Sequence, residues 1–119
     1  MSKKILVVDD EADIRKFLTV LLKKGGYETV EAEDGAKALT TAAQEKPDLI
    51  ILDLQMPNKT GTDFYRKLAK DNTLGKIPVI VVSGVPGRHL AIKKPVAVFD
   101  KPIDPDEFMA AVRSALPED

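Results

Sequence analysis

The sequence predicts an α/β protein with a flavodoxin-like, doubly wound sheet of five parallel strands in the order 2-1-3-4-5. Two observations indicate this fold class. The run Leu49 to Leu52 is apolar at every position, which is typical of a strand buried on both faces of a parallel sheet. Similar apolar runs alternate with segments of helical periodicity, and right-handed crossovers between parallel strands place helices on both faces of the sheet. The 119 residues fit a single domain.

The chain begins with a predicted strand, a helix and an outer strand. Ile5 to Val8 is the first strand. A helix is expected from Ala12 to Lys24, because its apolar residues recur at helical spacing. These residues are Ile14, Phe17, Leu18, Leu21 and Leu22. Gly25 and Gly26 provide the left-handed end of the helix, and the weak alternation of Tyr27 to Ala32 indicates a strand that partly meets water.

The second helix is predicted from Ala36 to Glu45. Asp34 and Gly35 turn the chain into it, and Pro47 ends it. One face carries mainly small residues, which would let the helix lie close to the sheet. They are Ala38, Leu39, Ala42 and Ala43.

The second half continues the alternation after a loop from Gln55 to Gly61. A helix is predicted from Thr62 to Asp71 and a buried strand from Ile77 to Val82. Prolines and a glycine in Gly84 to Pro95 predict a short or irregular fourth helix. Val96 to Phe99 is the last strand. The last helix begins after Asp104, an N-cap residue followed by proline, and it buries Phe108, Met109, Val112 and Leu116.

Polar residues follow four of these strands. They are Asp9 and Asp10 after the first strand, Asp53 after the third, Ser83 after the fourth, and Asp100 and Lys101 after the fifth. Because the carboxyl ends of parallel strands lie at one edge of a sheet, we expect these side chains to converge on one site.

Converging carboxylates repel one another. At about 4 Å and an effective dielectric constant near 20, each pair costs on the order of 4 kcal/mol. The predicted site therefore requires a cation, and oxygen ligands without nitrogen or sulfur suit Mg²⁺, with Mn²⁺ as the alternative. A phosphoryl group would complete the shell of Mg²⁺, a lysine would pair with its oxygens, and a carboxylate can act as nucleophile to give an aspartyl phosphate.

Four motifs in register make the sequence resemble the receiver domain of bacterial response regulators over nearly its whole length. They are VVDDE at Val7 to Glu11, DLQMP at Asp53 to Pro57 with Gly61, Ser83, and KP at Lys101 and Pro102. The resemblance implies that Asp53 accepts a phosphoryl group from a partner's phosphohistidine. It also implies that Asp10 binds Mg²⁺ directly, Asp9 through water and Gln55 through its backbone carbonyl. Ser83 and Lys101 would sense the phosphoryl group.

In the family that the sequence resembles, the signal appears on the face formed by the fourth helix, the fifth strand and the fifth helix, and the sequence departs from the family pattern near this face. The usual aromatic switch position, three residues before the lysine, is Val98, and the aromatic residue is Phe99. By strand alternation Phe99 points to the opposite face. The interval of 18 positions from Ser83 to Lys101 is short for the family. Gly84 stands where alanine is common, which leaves room beside the phosphoryl group.

The expected function is that of a signalling phosphoacceptor rather than an enzyme, with self-catalysed phosphotransfer and dephosphorylation only. We expect one receiver domain over residues 1–119 with no output domain. Its partners would be a sensor histidine kinase or histidine phosphotransfer protein and a downstream protein, with no direct DNA binding and no membrane contact. The net charge of −1 attracts neither nucleic acid nor anionic lipid. The absence of cysteine suits a cytoplasmic location.

The sequence is also compatible with two other functions. A small Mg²⁺-dependent phosphohydrolase would use Asp53 as nucleophile, but its acid two residues later is replaced by Gln55. A degenerate receiver would bind its partner constitutively. Individually the motifs also have structural interpretations: Asp9 and Asp10 as a cap cluster, Ser83 as a turn residue and Lys101 as a surface lysine.

Overall fold

The computed structural model describes residues 3–53, 60–83, 97–100 and 103–116. The strands in these ranges are β1 (Lys4–Val8), β2 (Glu28–Ala32), β3 (Leu49–Asp53), β4 (Val79–Ser83) and β5 (Ala97–Asp100). All neighbouring strands pair in parallel, and the sheet has the order β2-β1-β3-β4-β5. The predicted α/β sheet with the order 2-1-3-4 is therefore confirmed, and β5 lies beyond β4 at the edge.

Helices follow the strands within the same ranges. They are α1 (Ala12–Lys24), α2 (Gly35–Glu45), α3 (Thr60–Lys70) and α4 (Pro105–Ala115), with a short 3-10 helix at Leu74–Lys76. The bounds of α1 match the prediction. α3 begins at Thr60 rather than Thr62, so the predicted loop to Gly61 is too long. The predicted irregular helix in Gly84 to Pro95 lies outside the described residues.

Side-chain caps explain where two of the helices begin. The Asp34 carboxylate accepts a hydrogen bond from the backbone N–H of Lys37 at 2.8 Å, so α2 begins at Gly35. The Asp104 carboxylate accepts from the N–H groups of Asp106 and Glu107, as its N-cap position predicts. At the end of α1, only Gly26 has the left-handed conformation, with φ of 92°, whereas Gly25 is right-handed.

Two hydrophobic cores cover the two faces of the sheet. The α2–α3 core contains alternate residues of the central strands and the buried side chains of α2 and α3: Leu6, Val8, Ala38, Ala42, Ile50, Leu52, Phe64 and Leu68, among others. The α1–α4 core contains the other alternate residues and those of α1 and α4, including Ile5, Val7, Leu18, Leu22, Ile51, Phe108 and Val112. Ala43, predicted for the inner face of α2, is exposed.

The inner face of α1 matches the prediction except at Phe17: Ile14 and Leu21 pack, partly buried, against the α1–α4 core, as predicted. Leu18, Thr19 and Leu22 are buried, whereas Phe17 is 39% exposed. Arg15 is largely buried, with 16% of its side chain exposed. Arg15, Leu18, Thr19 and Leu22 have the i, i+3, i+4, i+7 spacing of one helical face. The prediction was wrong for Phe17 because hydrophobicity alone did not reveal that polar residues occupy this face.

Phe99 belongs to the α1–α4 core. Its ring meets Phe108 edge-on, with ring centroids 5.8 Å apart and an angle of 69° between the ring planes. In the strand register, Phe99 is the partner of Val82 and Val98 is the partner of Val81. Phe99 therefore faces α4, as strand alternation predicts. None of the helices in the described ranges is long and apolar enough to cross a membrane.

Replacing Phe108 by alanine should lower the free energy of unfolding by about 3–5 kcal/mol, because a fully buried ring leaves a cavity. The matched change Phe17→Ala, on a half-exposed ring, should cost about 0.5 kcal/mol. Urea unfolding followed by circular dichroism measures both. Equal losses in the two variants would contradict the assignment of Phe17 to the surface.

Candidate functional site

Three aspartates meet at the carboxyl ends of β1 and β3. Asp53 is the last residue of β3, and Asp9 and Asp10 directly follow β1. The register of these strands pairs Val8 with Leu52, so the residues that follow them come side by side. One carboxylate oxygen from each aspartate lies within 4.8 Å of the others. The predicted convergence of these three carboxylates is what the structure shows.

Burial differs among the three acids. Asp9 and Asp53 are each 1% exposed, whereas Asp10 is exposed. Asp9 and Asp53 thus lie below the protein surface, and Asp10 is accessible to solvent. Because water screens charges poorly at buried positions, the repulsion between Asp9 and Asp53 is stronger than that between exposed acids at the same distance.

Asp9 is held through three of its polar groups. Its backbone N–H donates to the carbonyl of Ala32 in β2 at 3.2 Å. Its Oδ1 accepts from the N–H of Glu11 at 2.9 Å, which closes a local turn before α1. Its carbonyl accepts from Nη1 of Arg15 at 2.7 Å. The position of Asp9 is therefore set by β2, by its own turn and by α1.

Arg15 is a residue that sequence analysis did not single out. Besides the bond to Asp9, its Nε donates to Oε1 of Glu31 in β2 at 3.1 Å, an ion pair between helix and strand. In the sequence Arg15 stands beside Lys16, so the pattern indicates an ordinary solvent-exposed charge on a helix. The only available signal was that Arg15 shares a helical face with Leu18 and Leu22.

The remaining predicted site residues are described only in part. Ser83 is the last residue of β4, and Asp53 is the register partner of the preceding Val82, so the ends of β3 and β4 are neighbours. The hydroxyl group of Ser83 lies outside the description. Gln55 and Lys101 fall in the ranges 54–59 and 101–102, which the structure does not describe.

The three carboxylates fit a hard divalent cation. Octahedral Mg²⁺ with oxygens at roughly 2.0–2.1 Å has ligand atoms about 2.9 Å apart when adjacent and about 4.2 Å apart when opposite. A spread within 4.8 Å suits direct binding by some of the oxygens and binding through water by another. Each donor is a carboxylate, the ligand type that Mg²⁺ and Mn²⁺ prefer.

Comparison with known proteins points to one family. The family model described as "Response regulator receiver domain" matches residues 5–113. Protein Rrf1 of Nitratidesulfovibrio vulgaris is 34% identical over 116 residues, which are 98% of this chain and 84% of Rrf1. The phosphate regulon transcriptional regulatory protein PhoB of Pseudomonas aeruginosa is 35% identical over 98% of this chain. The chain spans only 52% of the length of PhoB.

Solved structures show the same fold. The chemotaxis protein CheY4 of Vibrio cholerae superposes with a TM-score of 0.87 at 26% identity, covering 98% of this chain and 100% of that one. A putative response regulator from Chloroflexus aurantiacus reaches a TM-score of 0.90 at 23% identity, covering 99% and 100%, which supports the fold alone. The match over residues 5–113 and the relatives together show that the chain belongs to the response regulator receiver domain family.

Proposed function

We propose that this chain is the phosphoacceptor of a two-component phosphorelay, in which Asp53 accepts a phosphoryl group from a partner's phosphohistidine in a Mg²⁺-dependent reaction. The observation that carries the proposal is the position of Asp53. It ends a central strand, it is 1% exposed, and it lies beside two further carboxylates that fit a divalent cation. The response regulator family to which the chain belongs is a signalling family.

In the proposed reaction, a carboxylate oxygen of Asp53 attacks phosphorus, and an O–P bond forms. The N–P bond of phosphohistidine breaks, and the imidazole nitrogen takes the electron pair of that bond. Asp9 and Asp10 would hold Mg²⁺ together with Asp53 and the backbone carbonyl of Gln55. The ion would neutralise charge that develops on the phosphoryl oxygens.

The chain's own residues orient the nucleophile. β3 is buried on both faces, so the direction in which Asp53 leaves the sheet is fixed by packing. Asp9 is anchored by three hydrogen bonds, so it holds its place despite the repulsion of its neighbours. Such preorganisation lowers the cost of reaching the reactive geometry. Residue motion would not be needed to assemble the acids.

Signalling would begin when Ser83 and Lys101 contact the phosphoryl group. The Ser83 hydroxyl donates to one oxygen and the Lys101 ammonium pairs with another. Coupling by rotation of an aromatic ring is not expected, because position 98 is a valine and the neighbouring Phe99 packs against Phe108 in the α1–α4 core. The chain would interact in the cytoplasm with a histidine kinase or a histidine phosphotransfer protein, and then with a downstream protein, without binding DNA directly.

Incubation with Mg²⁺ and acetyl phosphate should add one labile phosphoryl group to the wild-type chain, and Asp53→Asn should abolish the adduct because the nucleophile is gone. Asp48→Asn is the matched control. Asp48 is exposed, precedes the same strand and accepts a hydrogen bond from the N–H of Lys4, which asparagine preserves. Intact-mass spectrometry with and without EDTA measures the adduct.

The outcomes of this experiment separate the three functions. An adduct that persists in Asp53→Asn would contradict the assignment of the phosphoacceptor. A folded wild-type chain that binds Mg²⁺ but forms no adduct would indicate the degenerate receiver. Sustained multiple turnover of a stable phosphate ester, such as p-nitrophenyl phosphate, would indicate the phosphohydrolase.

Asp10→Asn should weaken Mg²⁺ binding at least about tenfold, since a unit charge near 4 Å from a divalent ion is worth more than the 1.4 kcal/mol of a tenfold change. The same variant should be more stable than wild type without Mg²⁺, because one source of like-charge repulsion is removed. Isothermal titration calorimetry and thermal unfolding in EDTA measure the two effects.

Asp13→Asn provides the control for Asp10→Asn. Asp13 is exposed and lies in the first turn of α1. Its replacement by asparagine changes the net charge by the same amount as Asp10→Asn. Asp13 is not one of the clustered acids, so Mg²⁺ affinity should stay within about twofold. Without Mg²⁺ the replacement should lower stability slightly, because an acid near a helix N-terminus interacts favourably with the helix dipole. Equal effects of the two variants on Mg²⁺ affinity would contradict a specific site.

A further inference from the structure

Arg15 connects α1, β2 and the turn that carries Asp9 and Asp10. It donates to the carbonyl of Asp9 at 2.7 Å and to Glu31 at 3.1 Å. We propose that Arg15 is a positioning residue for the metal site: by holding the Asp9 carbonyl, it sets the geometry of two of the three carboxylates. The inference rests on the proposed function, because the affinity for Mg²⁺ is what this geometry would determine.

The acceptor of the Arg15 bond is significant because of its place in the chain. The carbonyl of Asp9 belongs to the peptide unit that joins Asp9 to Asp10. A peptide unit is planar, so a bond that fixes the direction of its carbonyl also fixes the plane that leads to the Cα of Asp10. Asp10 is exposed. The direction of the Asp10 side chain therefore depends on the backbone conformation, which the hydrogen bond from Arg15 to the Asp9 carbonyl stabilises.

The guanidinium is suited to this role. It is planar and rigid, and two of its N–H groups reach two different partners, one in the turn and one in β2. Glu31 is 48% exposed in its side chain, whereas Arg15 is 16% exposed. The carboxylate of Glu31 thus orients the guanidinium from the outer side, and the inner side meets Asp9.

The burial of α1 supports the same conclusion. Arg15 lies on the buried helical face with Leu18 and Leu22, while the apolar Phe17 is 39% exposed. A rotation of α1 that buried Phe17 more deeply would carry Arg15 away from the sheet. The bonds of Arg15 to Asp9 and Glu31 therefore fit the orientation that α1 adopts.

Two roles of Arg15, as a nearby positive charge and as a positioning residue, predict opposite changes in Mg²⁺ affinity when the arginine is removed. By charge alone, removing a cation beside the acids would tighten Mg²⁺ binding, because the guanidinium and the metal repel each other. By positioning, removing it would weaken binding, because the turn loses an anchor. Residues that orient metal ligands typically contribute about 10–100-fold in metal affinity. The sign of the change thus distinguishes the two roles.

The test compares Mg²⁺ binding by the wild-type chain, Arg15→Gln and Arg15→Lys in isothermal titration calorimetry. We expect both variants to weaken binding about tenfold or more. Arg15→Lys keeps the charge, but one ammonium group cannot reproduce the planar fork. Lys4→Gln is the control, because it breaks a comparable ion pair, with Glu45, at the amino end of β1, away from the acids. Lys4→Gln should change Mg²⁺ affinity less than about twofold.

A second readout does not depend on the metal. The N–H of Glu11 donates to Oδ1 of Asp9, so its exchange with deuterated water in EDTA reports whether the turn is ordered. In Arg15→Gln this amide should exchange about tenfold faster, which is the factor expected when the turn loses one charge-assisted hydrogen bond. The amide of Glu28, which donates to the carbonyl of Lys3 at the other end of β1 and β2, should keep its wild-type rate and show that the fold is intact.

Each outcome decides between the alternatives. Mg²⁺ binding as tight as or tighter than wild type in either Arg15 variant would overturn the positioning role. A wild-type chain that binds no Mg²⁺ would contradict the proposed function instead. In that case the Glu11 amide still decides whether Arg15 holds the turn: faster exchange in Arg15→Gln supports that step of the inference, and an unchanged rate overturns it.

Discussion

The sheet brings like-charged acids together, and the rest of the fold holds them there against their mutual repulsion. The parallel pairing of β1 with β3 places Asp9 beside Asp53, and both side chains are 1% exposed. Each like-charge pair at such a separation costs on the order of 4 kcal/mol at an effective dielectric near 20. A domain is typically stable by only about 5–15 kcal/mol. The fold must therefore oppose this repulsion with strong and rigid packing directly beneath the acids.

The two cores provide that packing. β3 is buried along its whole length, and alternate side chains of the central strands enter one core or the other. A sheet that is held on both faces resists the splaying by which β1 and β3 would otherwise separate their charges. The site then requires little local structure of its own. Hydrogen bonds to Asp9 from Glu11 and Arg15 help to fix the turn after β1.

The sequence allowed the sheet and the three acids to be predicted, because apolar runs ending in polar residues are a local signal. The exposure of Phe17 and the role of Arg15 were not predictable in the same way. Glu31, a partner of Arg15, lies 16 positions further along the chain in β2, and a helical pattern contains no information about such a partner. Its hydrophobicity predicted that Phe17 would face the sheet. In the structure Phe17 is exposed, and Arg15 faces the sheet because it contacts Asp9 and Glu31. The start of α3 was misplaced by two residues, which is common where a loop precedes a helix.

The contact between Phe99 and Phe108 gives the chain a native spectroscopic reporter. The sequence contains no tryptophan, so intrinsic fluorescence provides little information about conformation. An edge-on ring at 5.8 Å shifts the proton resonances of its neighbour through its ring current, and this shift varies steeply with distance and angle. Phe99 lies two positions before Lys101 in the sequence, on the strand that leads to that lysine. The aromatic NMR signals of Phe99 therefore record any displacement of β5 relative to α4 without an added label.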